Sequence, residues 1–259
     1  MTRQVTATIG PPREKAITYI ESLWTRAKRK LSIYIRGRNR VVTLDDCRFD
    51  MRGLADNSMK LELLTGRYER PERDAARRHI QAEWPVVEVG GCIGVVACIT
   101  NKLLKNAEAH VVLEANPLAI PYLKSNRDSN HCSFKILNRA LAYGAGTVTF
   151  QPTLNFWGNS LGHNGGQPPV TVPATQLGQI LHDEGFEKYA LICDIEGHEF
   201  ELVMQEPDAL SKAELIILEV HPHMIGEDKV KTLLSKLADM GFKIIDRSAL
   251  VVVLSRANG

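Results

Sequence analysis

The sequence is short of the signatures that would name a chemistry outright. Its 259 residues hold no phosphate loop of the G-x-x-x-x-G-K-[ST] type and no H-E-x-x-H zinc pair. The dinucleotide fingerprint G-x-G-x-x-G is also missing, because Cys92 stands where the second glycine of Gly90-Gly91-Cys92-Ile93-Gly94 should be. The five cysteines (Cys47, Cys92, Cys98, Cys132, Cys193) are odd in number and never spaced C-x-x-C. Several lie inside apolar runs, as buried free thiols do, which excludes a disulfide framework and points to a reducing compartment. No apolar run reaches transmembrane length, and the N-terminal residues lack the long apolar stretch of a signal peptide. The expected location is therefore the cytoplasm.

An excess of charge of one sign is lacking as well, since 32 Lys and Arg nearly balance 30 Asp and Glu and leave a formal net charge of only +2. Its distribution is uneven. Arg26, Lys28, Arg29, Lys30, Arg36, Arg38 and Arg40 crowd the first forty residues, where Glu14 and Glu21 are the only acids. No aromatic interleaving accompanies them, so a solvated helix end explains them better than a nucleic-acid surface, and no nucleic-acid partner is expected. A hydrophobic fraction of 44% and a charged fraction of 24% describe an ordinary globular chain with a large core.

Taken in order, Pro11-Pro12 opens a helix with Ile17, Ile20, Leu23 and Trp24 at helical spacing. Ser32–Ile35 and Val41–Leu44 read as strands joined by a turn at Gly37-Arg38-Asn39. Helices are expected over 54–64 and 71–81. Residues 1–80 form an accessory segment in this reading, and residues 81–259 the main domain. From Val86 onward strands and helices alternate, the pattern of a parallel sheet covered on both faces. Strands are expected at 86–89, 111–113, 134–137, 147–150, 170–172, 189–193 and 215–218. Helices are expected over 93–104, 117–127, 229–240 and from a Thr175 cap to His182. The loop 151–169 carries Phe156, Trp157 and His163 and suits an active-site cover. Only four residues separate 242–245 from 250–254, too few for a parallel crossover, so these strands are antiparallel neighbours.

In an open α/β sheet the ligand crevice lies at the carboxyl ends of the strands. Glu88, Glu114, Asp194 and Glu219 each end a strand here, so they converge on one rim. The turn Gly90–Gly94 lets a ligand approach backbone. Glu114, about twenty residues beyond it, is placed to accept both hydroxyls of a ribose. The run Asp194-Ile195-Glu196-Gly197-His198-Glu199 packs four titratable side chains into six positions. Together with His221 and His223 it offers metal ligands, but the spacing names no coordination geometry and no metal is expected.

These residues resemble the FkbM-type S-adenosylmethionine-dependent methyltransferases. Val87–Gly94 is similar to the family's first motif, and Leu113-Glu114-Ala115-Asn116-Pro117 to its second. Asn138-Arg139-Ala140-Leu141 is similar to the segment after its third strand, and Ile192–Glu199 to its most distinctive run. Leu218–His221 matches its fifth strand, and Tyr68-Glu69 has an upstream counterpart. The match spans roughly residues 60–225. Family members usually carry Asp at the position of Glu88, Ala-Asn at Gly91-Cys92 and Pro at Ala115.

The resemblance implies a Rossmann-like α/β fold, with a mostly parallel seven-stranded sheet, a C-terminal antiparallel hairpin and an N-terminal helix/hairpin extension. It implies S-adenosyl-L-methionine as cofactor. Glu88, Gly90 and Gly94 would surround its methionine part, Glu114 its ribose and Asn138-Arg139-Ala140 its adenine, with Asn116 a further cofactor-binding residue. It implies O-methylation of a hydroxyl on a small molecule or saccharide, with Asp194, Glu196, His198 and His221 as candidates for the general base, Asp194 first. A nicotinamide-dependent oxidoreductase and a non-catalytic binding protein on the same fold are the alternatives. Neither the acceptor nor the oligomeric state is legible.

Overall fold

The computed structural model describes residues 41–153 and 167–256. The helix after Pro11, the strand Ser32–Ile35 and the Phe156–His163 part of the expected cover loop lie outside them. Val41–Gly259 is one compact unit. Val41–Leu44 (β1) is a strand, but it pairs antiparallel with Cys47–Asp50 (β2). Asp45 and Asp46 bridge the two at φ of 46° and 64°, the mirror-image turn that matches strand twist.

Asn57–Thr65 (α1) is started by Asp56, whose carboxylate accepts from the N–H of Ser58 at 2.7 Å and of Met59 at 3.3 Å. Gly66 ends it at φ 71°. Arg70–His79 (α2) carries Pro71 in its first turn, where a missing N–H costs nothing. The buried face of α2, Ala75 and Ala76, packs against Ile192, Leu215 and Ile217 of the sheet. Residues 41–80, grouped with the N-terminal segment on sequence grounds, are thus joined to the sheet.

The sheet has seven strands. Val86–Val89 (β3), His110–Leu113 (β4), Lys135–Leu137 (β5), Tyr189–Cys193 (β9) and Ala213–Glu219 (β10) run parallel. Phe242–Ser248 (β11) and Val251–Arg256 (β12) close one edge antiparallel, in the order β11-β12-β10-β9-β3-β4-β5. Every residue of β3, β4 and β9 is buried, as strands covered on both faces require. Val95–Asn101 (α3) and Ile120–Ser129 (α4) belong to a cluster with Phe49, Met59, Val112, Leu123 and Phe134. Burying one such aliphatic side chain stabilises by about 1.5–3 kcal/mol. A second, three-stranded sheet joins Ala140–Leu141 (β6), Thr147–Phe150 (β7) and Val170–Thr175 (β8).

Glu199–Gln205 (α6), Pro207–Leu210 (α7), Pro222–Ile225 (α8) and Glu227–Asp239 (α9) complete the helices after Leu177–Glu184 (α5). Thr175 is the last residue of β8 and does not cap α5, which follows Gln176. The Glu206 carboxylate does so from a distance, accepting from the N–H of Leu177 at 2.7 Å and of Gly178 at 2.6 Å. The pairing register fixes the rim. Val89 sits level with Leu113 and with Cys193, and Cys193 level with Leu218. The next residue on each strand is then Gly90, Glu114, Asp194 and Glu219. Those four form one row at the carboxyl end of the sheet.

Candidate active site

A cavity of about 570 Å³ opens along that row. Gly90 turns the chain at φ 94°. A Cβ there would lie 1.7 Å from the carbonyl oxygen of Asp194, so glycine is required by the neighbouring strand end. Gly94 (φ 84°) serves packing, since its Cβ would meet the Leu123 side chain at 2.5 Å. Between them the N–H of Cys92 donates to Glu114 Oε2 at 2.7 Å, and the N–H of Asn116 to Glu114 Oε1 at 2.6 Å. Glu114 therefore faces the cavity already oriented, each oxygen with a further lone pair. Burial pushes its pKa up to about 7 despite these donors.

Opposite stands an acid–histidine wall. Asp194 follows β9, its N–H bonded to Val89 O at 3.0 Å. Glu196 and Gly197 then turn the chain at φ 50° and 99°, which brings Glu199 to the start of α6, wholly buried. Glu199 Oε1 accepts from Gly197 N at 3.0 Å and meets His221 Nδ1 at 2.8 Å. A proton on Nδ1 leaves the lone pair of Nε2 facing outward. Nε2 lies 3.5 Å from both Asp194 Oδ1 and Glu196 Oε2. Burial lowers the pKa of His221, but Glu199, Asp194 and Glu196 outweigh it and leave it above the ordinary value. Burial, and then repulsion from Glu196, push Asp194 up to about 8. Burial with Asp194 and Glu72 nearby takes Glu219 to about 10.

Of the residues singled out in the sequence, Gly90, Glu114, Ala140, Asp194, Glu196, His198 and His221 line the cavity. Glu88, Gly94, Asn116 and Asn138 are not among its lining residues. Strand alternation turns Glu88 to the opposite face from Val87 and Val89. There it is 2% exposed and 3.7 Å from His110 Nε2, with burial pushing it up to about 8. Asn116 donates to Thr153 O at 2.9 Å and accepts from Leu118 N at 3.0 Å. Asn138 donates to the carbonyls of Glu114 at 2.8 Å and Ala115 at 3.1 Å. Both brace the loop behind Glu114.

The sequence reading left out Glu72, and gave Glu69 and Glu199 no role. Glu69 and Glu72 line the cavity from the first turn of α2. Burial, reinforced by Glu72, Asp194 and Glu88, raises Glu69 well above the carboxylate range. A three-residue spacing beginning at Tyr68-Glu69 and a proline-started helix were the signals available for Glu72.

A family model described as the methyltransferase FkbM domain matches residues 88–244. The chain belongs to the FkbM methyltransferase family. Among curated proteins, hexuronic acid methyltransferase AglP of Haloferax volcanii is 27% identical over 153 residues, covering 56% of this chain and 59% of that protein. The chain thus spans about three-fifths of that relative's length. Among solved structures, an rRNA methylase from Streptococcus thermophilus aligns with a TM-score of 0.44 at 11% identity, over 73% of this chain and 95% of that one. M. jannaschii TYW2 in complex with AdoMet aligns at 0.44 and 14%, over 84% and 86%. Such distant likenesses carry no argument about the site. For this FkbM-family chain the family implies methyl transfer and S-adenosylmethionine. The cavity fits that cofactor in charge: Glu69, Glu114, Asp194 and Glu196 border it, against one arginine, Arg139, among its lining residues. A sulfonium or ammonium placed among these acids favours the charged forms that burial alone disfavours, whereas a bare phosphate gains no such partner.

Proposed function

We propose that the chain transfers a methyl group from S-adenosylmethionine to a hydroxyl of a saccharide or similar small polar acceptor. One observation carries the reading. A single cavity holds an oriented carboxylate, Glu114, on the turn side and the Asp194–Glu196–His221 wall on the other. Glu114 receives the ribose hydroxyls, while Leu113, Ala119, Ala140 and Leu141 supply apolar surface to the adenine. Glu69 and Asp194, rather than Glu88, face the methionine ammonium. The cofactor supplies an electrophilic methyl group when bound. The wall then aligns the acceptor hydroxyl and takes up its proton. A saccharide acceptor is supported by the relative named for hexuronic acid.

Calorimetry with S-adenosylmethionine and with NAD tests the cofactor: the first is expected to bind and the second not. Radiolabelled methyl transfer onto hexuronate-containing and neutral oligosaccharides then tests the acceptor. Binding of neither cofactor would leave a non-catalytic protein on this fold.

A further inference from the structure

We propose that Asp194, Glu219 and His221 bind a hard divalent cation, of the Mn2+ or Mg2+ class, on the acceptor side of the cavity. This deepens the reading above and rests on it for the placing of the acceptor. One ligand atom from each residue lies within 4.8 Å of the others. The 3.5 Å between His221 Nε2 and Asp194 Oδ1 is too long for a hydrogen bond. It is close to the separation of about 3.1 Å that adjacent ligands adopt around an ion with bonds of about 2.2 Å.

Observations apart from the cluster point the same way. Glu199 holds the other ring nitrogen of His221 at 2.8 Å, the carboxylate–imidazole pairing that orients a metal-ligating histidine. Glu72, only 5% exposed, reaches into the same cavity. Its Oε2 is buried with no hydrogen-bond partner, although the carboxyl touches that of Glu219. Asp194 Oδ1 is likewise buried and without a hydrogen bond. Carboxyl groups packed this closely are either held protonated or stabilised by a cation among them, and an ion on these three ligands would supply that charge. The two carboxylates suit Mn2+ or Mg2+, the imidazole places Mn2+ ahead of Mg2+, and no thiolate is present to select a soft ion. Such an ion would bind the acceptor hydroxyl through oxygen and lower its pKa, leaving Glu196 beside it to take the proton.

The test is Mn2+ titration of the full chain, reading the paramagnetic resonance signal of free ion, with S-adenosylmethionine calorimetry on the same samples. One Mn2+ per chain is expected. Binding should weaken at least tenfold in Glu219→Gln and in Asp194→Asn and stay unchanged in the exposed control Glu83→Gln. Mn2+ should also raise the melting temperature of the wild-type chain and not that of Glu219→Gln. Glu219→Gln relieves a contact between two carboxyls and is expected to fold, so the comparison survives if Asp194→Asn does not. No Mn2+ bound by folded wild-type chain, or equal binding by Glu219→Gln, overturns the site. Loss of the ion with cofactor binding intact removes this inference alone. Cofactor binding failing while Mn2+ still binds removes the cofactor reading and keeps the ion.

Discussion

Replacing Glu88 by glutamine separates a buried structural acid from a cofactor ligand. Glu88 is 2% exposed, and burial raises its pKa from 4.5 to about 8. A group raised in the folded state contributes stability that is fully present below its unfolded pKa and is lost as pH rises through the folded one. At about 1.4 kcal/mol per pH unit, a rise from 4.5 to about 8 amounts to roughly 3–5 kcal/mol. Its neighbour His110 works oppositely. Burial lowers His110 from 6.5 to about 3, so its contribution is present above 6.5 and is lost as pH falls through 3. Between pH 4.5 and 6.5 the folded and unfolded states of this pair bind equal numbers of protons, and the two slopes cancel. From 6.5 to about 8 only Glu88 is left, and its share of stability falls with pH.

Glutamine keeps the oxygen that accepts from the Ala97 backbone and cannot ionise. Glu88→Gln should therefore gain on the wild type as pH rises from 5 to 8, reaching a few kcal/mol at the upper end. Urea unfolding at half-unit pH intervals measures the difference, and subtraction cancels the other buried acids. Affinity for S-adenosylmethionine should be unchanged, because Glu88 lies outside the cavity. A tenfold loss of that affinity, with a pH-independent stability difference, would refute the assignment.

Glu114→Gln keeps one oxygen for the turn but forces an amide against the N–H of Cys92 or Asn116. Calorimetry should show cofactor affinity falling at least tenfold. Glu199→Gln removes the charge behind His221, worth about 1.5–3 kcal/mol as a charge-assisted hydrogen bond. The acidic limb of the pH–rate profile should move to lower pH as the pKa of His221 is displaced downward, while Glu199→Asp keeps the limb near its wild-type position. Cys92 sits at φ 45°, where asparagine is tolerated and a β-branched residue is not. Melting curves should place Cys92→Asn near the wild type and Cys92→Val lower by about 1–2 kcal/mol.

Much of the fold was legible because it rests on local periodicity. Val86–Val89 and Tyr189–Cys193 are strands with the bounds expected, since runs buried on both faces carry their own signal. The closing hairpin followed from a link too short to cross over. What escaped depended on distant partners. Cys47–Asp50 alternates weakly and becomes a strand by pairing with Val41–Leu44. The start of α5 is fixed by Glu206, nearly thirty residues on, which no local capping pattern announces.

The rim was legible for a related reason and misleading in one place. Any strand-end acid looks like part of the crevice, but side chains alternate across a sheet, and a shift of one residue changes the face. Glu114, Asp194 and Glu219 stand one place beyond the last level pairs and reach the cavity; Glu88 stands one place before and does not. The cavity also gathers backbone that local sequence disfavours. Glu69, Cys92, Glu196 and Ala249 are non-glycine residues at φ 45–51°, and all four line it. Each such residue costs on the order of 1–2 kcal/mol. Strain of this kind persists only where the surrounding core over-determines the conformation, here the buried ends of β3, β9 and β12 and the first turn of α2. Four separate elements bear that cost around one space, which argues that the space itself, and not any single element, was what the sequence had to specify.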